Sequence, residues 1–178
     1  MDTSTGQTYL ASAIKRLKDC KGLGDKTFVQ LSDQDFYFQP NEDSNSIAMI
    51  IAHLSGNMVS RWTNFLTEDG EKPWRNRDAE FDAQTAPREQ LVSNWETGWA
   101  CVIEALESLQ DTDLSRTVHI RKEPMSVVDA INRQLIHYAS HVGQILYIGK
   151  MRLGGRWKSL SIPRGKSADF NRDMGYKH

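Results

Sequence analysis

No apolar run in this sequence approaches the length that a helical bilayer crossing needs, which excludes a helical membrane span. Cysteine is scarce. Cys20 and Cys101 stand far apart with no CxxC spacing, so neither a disulfide framework nor a thiolate metal knuckle is expected. Both are read as reduced thiols of a cytosolic protein. Charge of one sign is lacking too: 22 Lys and Arg against 23 Asp and Glu leave a formal net charge of −1. No overall field therefore draws the chain to nucleic acid or anionic lipid, and neither partner is expected. The amino-terminal MDTSTGQTYLASAIKRL does not follow the charged-then-apolar order of a secretory signal, in keeping with a cytoplasmic location. Repeats and low-complexity segments are absent.

What the chain does have is helical periodicity. In Ser126 to Leu153, apolar residues recur at Val127, Ile131, Leu135, Tyr138, Val142, Ile145 and Ile148, the spacing of one helix face. Ser126 with Asp129 reads as its start and Gly154-Gly155 as its stop. A first helix is expected over Thr8 to about Lys21 (inner face Leu10, Ala13, Ile14, Leu17), ended by Gly22 and Gly24. Lys26 to Pro40 reads as a packed connection. Ser44 or Asn45 would cap a second helix from Ser46 to about Leu66, with a stripe of Ile47, Ile51, Leu54, Met58, Trp62 and Phe65. A third is bracketed by Pro87 and Gln110-Asp111, facing inward with Leu91, Trp95, Trp99, Val102, Leu106 and Leu109. The residues from Leu114 to Arg121 alternate like a short extended piece, and a helical turn is expected near Ser167 to Arg172. The expected fold class is all-α: one domain over 1–178, an antiparallel four-helix bundle across about 8–153, long connections, and a tail over 154–178.

The candidate chemistry lies in three histidines. His137 and His141 are one helical turn apart on one face, the spacing at which a helix gives two nitrogens to one ion. Tyr138 follows His137 where the zincin motif would have its glutamate, so a metalloprotease is not indicated. His53 lies on the second helix and heads the polar row His53, Asn57, Arg61, which runs beside the apolar stripe. In an up-and-down bundle the second and fourth helices would face each other diagonally across the centre, where three imidazoles can meet. Two readings of the spacing stay open: a shared metal site, or three unrelated histidines in the core and at its edge. His119 and His178 are not expected as ligands.

A histidine on the second helix with an HxxxH pair on the last long one resembles the DinB/YfiT-like metalloenzyme superfamily. More specifically, SIAMIIAHLSGNMVSRWTNFLTEDGEKPWRNRDAEF and SIPRGKSADFN resemble a bacterial branch of it. The resemblance implies a four-helix bundle holding a divalent ion (Zn, Ni or Fe) through His53, His137 and His141, and a cytoplasmic homodimer. It also implies a metal-dependent enzyme, since characterised relatives are transferases and isomerases that use low-molecular-weight thiols as cosubstrates.

A tri-histidine ion with an open position can bind a thiolate or water and lower its pKa. Asn57 and Arg61 are the substrate-binding candidates, because a guanidinium suits a carboxylate or phosphate. The opposing reading pairs Arg61 with an acidic loop residue such as Glu68 or Asp69 and gives Asn57 an internal hydrogen bond. Trp74, Arg75 and Arg77 are either a lid or a loop packed on the surface. The basic tail (Arg156, Lys158, Arg164, Lys166) reads as solvated or dimer-contacting, and Trp95 with Trp99 as core or dimer interface. No carboxylate is placed well enough to name as general base. Three functions therefore stand side by side: a metal-dependent enzyme, a binding module in which the ion braces the helices, and a bundle with incidental histidines.

Overall fold

The computed structural model describes residues 4–176. Among them are six α-helices and one two-stranded sheet: α1 (Thr5–Phe28), α2 (Asp33–Phe36), α3 (Ile47–Trp62), α4 (Arg88–Glu107), β1 (Thr117–Ile120), β2 (Glu123–Ser126), α5 (Val127–Leu153) and α6 (Ser167–Asp173). The stripes expected to face inward do so. Leu10, Leu17, Ile51, Leu54, Met58, Trp62, Leu91, Trp95, Trp99, Ile131, Tyr138 and Ile145 are all buried in one core.

Local chemistry explains most element boundaries. Ser4 opens α1 with a reciprocal capping box to Gln7. Ser46, rather than Ser44 or Asn45, caps α3 by accepting from the Met49 amide at 3.2 Å. Ser126 caps α5 by accepting from the Asp129 amide at 3.1 Å. Two expectations fail at helix ends. α1 does not stop at Gly22 and Gly24 but continues to Phe28. Gly24 is small for packing: a Cβ there would come within 2.6 Å of the Trp95 ring. α3 ends four residues early, at Trp62, where Thr63 turns extended and Asn64 takes a left-handed φ of 52°. The alternation before Arg121 does form β1, and it pairs antiparallel with β2.

The helix order differs from an antiparallel up-and-down arrangement. Tyr9 reaches the Val128 carbonyl and Gly149 lies beside Thr27, so α1 and α5 run the same way. Arg88 donates to the Phe28 and Leu31 carbonyls, so α4 starts where α1 ends. Gly98 touches Ser55 and Met58, and Thr63 meets Cys101, so α3 and α4 also run together, opposite to the other pair. The long 63–87 segment permits this, since it must retrace a helix about 24 Å long before α4 can start at the same end. α3 packs against both α4 and α5, and α1 likewise. The second and fourth long helices are thus direct neighbours, not diagonal partners. They run antiparallel, which sets the row His53, Asn57, Arg61 against the row His141, His137, Arg133.

Candidate metal centre and its cavity

His53, His137 and His141 converge. Ring centroids are 5.2 Å apart for His53–His137, 4.9 Å for His53–His141 and 4.7 Å for His137–His141. One nitrogen from each ring lies within 4.8 Å of the other two. Ligands of one tetrahedral ion, at about 2.0–2.1 Å from it, stand about 3.3 Å from each other. Small side-chain rotations therefore bring the set to coordination distance.

Each ring is oriented by its surroundings. His53 Nδ1 lies 2.9 Å from Glu80 Oε2, which directs its Nε2 toward the other rings. Glu80 is itself held by Arg75, with Nε and Nη2 both donating at 2.8 Å. Burial alone would raise the Glu80 carboxyl. The bonds from Arg75 and His53 outweigh it, so Glu80 sits below the usual range and remains an acceptor. His141 Nδ1 lies 3.0 Å from Gln144 Oε1, leaving Nε2 for an ion. His137 Nε2 is buried with no hydrogen-bond partner. Burial, then the proximity of His141 and His53, pushes His137 down to about 3, and burial lowers His141 as well. Both rings are thus neutral near pH 7, the form that ligates a metal.

The loop expected as either a lid or surface packing divides between the cavity wall and the surface. Arg75, Arg77 and Phe81 line the cavity beside the histidines, and the Phe81 ring lies 4.7 Å from that of His53. Trp74 lies outside it and is exposed. Gly56 makes room for this approach, because a Cβ there would come within 2.3 Å of Glu80 Oε1. The loop is anchored below: Ser60 Oγ donates to the Gly70 carbonyl at 2.8 Å, and the Gly70 amide donates to His119 at 2.8 Å. Asp69 accepts from the amides of Arg121 (2.8 Å) and Lys122 (2.7 Å), which both adopt left-handed φ in the β1–β2 turn. That carboxylate offsets the strain of two non-glycine residues there and sets Arg121 at the cavity.

The cavity measures about 520 Å³. Asn57 lines it, with its carbonyl oxygen accepting from the Tyr138 hydroxyl at 3.2 Å. Arg61 lines it as well, but donates to the Gly70 carbonyl and to Glu71 Oε2, the latter at 3.0 Å. Its acidic partner is therefore Glu71, not Glu68 or Asp69, and the side chain is buried. Burial lowers its pKa, and the like charges of Arg75 and Arg121 add to the effect that Glu71 opposes. Tyr138 faces away from the cavity, accepting from Trp62 Nε1 at 2.9 Å, and burial raises its pKa, so it is no acid or base here. His119 lies exposed in β1, and His178 lies outside the described residues. A neighbouring hollow of about 700 Å³, between the 40–45 segment and α5, contains no histidine, cysteine or basic group.

Sequence reasoning missed Glu80. The sole available signal was its place in the long 67–84 loop, where nothing in the spacing pairs it with His53. Residues 4–166 match the family described as "Protein of unknown function (DUF1572)". No curated protein matches. Among solved structures, the chain resembles the crystal structure of a conserved protein of a locus from Enterococcus faecalis, with a TM-score of 0.64 and 14% identity. That match covers 86% of this chain and 99% of the other, and at that identity it speaks for the fold alone.

Proposed function

We propose that this chain, which belongs to the DUF1572 family, binds one divalent ion through His53, His137 and His141 and uses it as a metal-dependent enzyme on a small molecule. The four long helices are read as a bundle around this centre. The resemblance to DinB/YfiT-like proteins supports a transferase with a low-molecular-weight thiol cosubstrate, in a cytoplasmic homodimer. The observation that carries the reading is the buried, unpartnered His137 Nε2 in a cluster of three ligand-capable nitrogens. A buried polar atom without a partner costs about 1–3 kcal/mol, which an ion would recover.

The donor set fits such an ion. Three neutral imidazoles leave its charge undiminished, and an ion with three protein ligands keeps a position for water or substrate. Bound there, Zn, Ni or Fe supplies a Lewis acid that lowers the pKa of a thiol or water. The chain's own residues do the rest. Glu80 fixes the His53 tautomer, Arg75 holds Glu80, and Phe81 covers the His53 ring. Asn57 lends its amide NH₂ to the cavity wall.

A second reading has its own support. Glu80 is held by both Arg75 and His53, so no free carboxylate stands ready as a general base, and the ion would then brace α3 against α5. Metal analysis of protein made without an affinity tag tests both, with one equivalent of ion expected and none sinking both. Cobalt substitution then separates them. Absorption that changes on adding a thiol supports the enzyme; a closed four-coordinate spectrum that no thiol perturbs, with a large metal-dependent gain in melting temperature, supports the brace. Light scattering of the purified protein tests the dimer.

A further inference from the structure

Five arginines line the cavity that holds the histidines: Arg61, Arg75, Arg77, Arg121 and Arg133. Among the described residues no aspartate or glutamate lines it. Carboxylates behind the wall answer only part of this charge. Glu71 is shared between Arg61 and Arg121, and Glu80 takes Arg75. Arg77 has Asp78 as its one carboxylate partner, at 3.8 Å and 98% exposed, and lies over the Phe81 ring at 5.1 Å. Arg133 has no ion-pair or hydrogen-bond partner among the described residues. The Arg75 side chain is 2% exposed, yet its Nη1 has no partner. A buried donor without an acceptor is costly, and Arg75 Nη1 is such a donor on the wall of this cavity, which an anion would complete.

Helix geometry locates the anion. Arg133 precedes His137 by one turn and His141 by two on α5, about 6 and 12 Å along the axis. On antiparallel α3, Arg61 lies two turns beyond His53 in the same direction. Arg133 and Arg61 thus stand at one end of a furrow whose other end is the histidine cluster, where Arg75 holds Glu80 against His53 and Arg77 lies over the Phe81 ring. A rim of guanidinium groups is suited to a planar carboxylate or a phosphate, taken in two-pronged hydrogen bonds.

We infer that the substrate of this cavity carries a carboxylate or phosphate group, received by Arg133, which lies about 6 and 12 Å along α5 from His137 and His141, together with Arg77 and the free Nη1 of Arg75 on the reacting atom's side. The inference deepens the metal-site reading and rests on it for where that atom sits. It also moves anion recognition away from Arg61, whose donors already hold the loop.

Calorimetric titration of the metal-loaded protein with succinate, and separately with inorganic phosphate, tests it, with metal content measured on each sample. At least one probe should bind, and do so at least tenfold more weakly in both Arg133→Met and Arg77→Met. Lys150→Met, on an exposed face of α5 away from the cavity, should match wild type. Both side chains are exposed, so neither change threatens folding. Binding of succinate alone or phosphate alone supports the inference and names the group. No binding of either probe overturns it, and so does equal affinity in all variants, which would place the anion on the ion itself or elsewhere. Should wild type hold no ion, the metal reading falls, and the same titration of the metal-free protein still judges the arginine pocket by the same criteria.

Discussion

His137 and Tyr138 are consecutive on α5 and meet opposite chemistries. On the Tyr138 side Trp62, Tyr138 and Asn57 satisfy one another inside a packed aromatic core, and only Trp99 Nε1 is left there without a partner among the described residues. Trp62 donates to the Tyr138 hydroxyl, that hydroxyl donates to Asn57, and the Tyr138 ring lies 5.6 Å from Trp99. On the His137 side the polar groups are not so paired. Four buried side-chain polar atoms lack a partner among the described residues, and three of them (His137 Nε2, Arg75 Nη1, Gln134 Oε1) belong to residues lining one cavity. A folded chain seldom leaves such groups unpaired without a use for them. The contrast separates a network that holds the helices from one that awaits a ligand.

The sharpest way to break that contrast is to truncate each neighbour. His137→Ala should abolish stoichiometric metal binding in equilibrium dialysis while leaving the metal-free melting temperature nearly unchanged. Retained stoichiometric binding would show that the three rings do not share an ion. Glu80→Gln comes next. It keeps the shape but weakens the acceptor that orients His53, and such a change typically costs about 10–100-fold in metal affinity. Competition with a chromophoric chelator measures it, and an unchanged constant would mean that Glu80 only secures the loop. Tyr138→Phe should do the reverse. Metal affinity stays, and stability drops by about 1–3 kcal/mol in urea unfolding, because Trp62 and Asn57 lose their buried partner.

The two sides of α5 were not equally legible in the sequence. Burial of Tyr138, Trp95, Trp99 and Leu54 follows from periodicity, since a helix face is written in consecutive local spacing. The histidine set was legible in two steps: His137 and His141 by their one-turn spacing, His53 by its place in the polar row beside the α3 stripe and by resemblance to other proteins. Chain direction was not. Nothing in the apolar pattern separates α3 and α4 running together from the two running opposite, and only the length of the 63–87 segment bears on it. Glu80 and Arg75 were out of reach for the same reason, because a loop has no period from which to read the direction of a side chain. Gly24 misled, since a glycine that admits a tryptophan reads in sequence like one that ends a helix.

The smallest effect concerns protons. In the metal-free fold His137 stays neutral down to about 3, whereas in the unfolded chain it titrates at its ordinary 6.5. Between those values the unfolded state binds a proton that the folded state refuses, so stability falls as the solution is acidified. The contribution is fully present above pH 6.5 and is lost progressively toward pH 3. Glu80 acts in the same direction, but only below its ordinary 4.5. Comparing wild type with His137→Gln between pH 7 and 5, in chelator, therefore isolates the histidines. The wild-type melting temperature should fall more steeply than the variant's, modestly, because the ring is only partly buried and solvent screens it. Parallel slopes would mean that His137 protonates freely in the folded state. The side of α5 that lacks partners would then be solvated, and the contrast with Tyr138 would rest on packing alone.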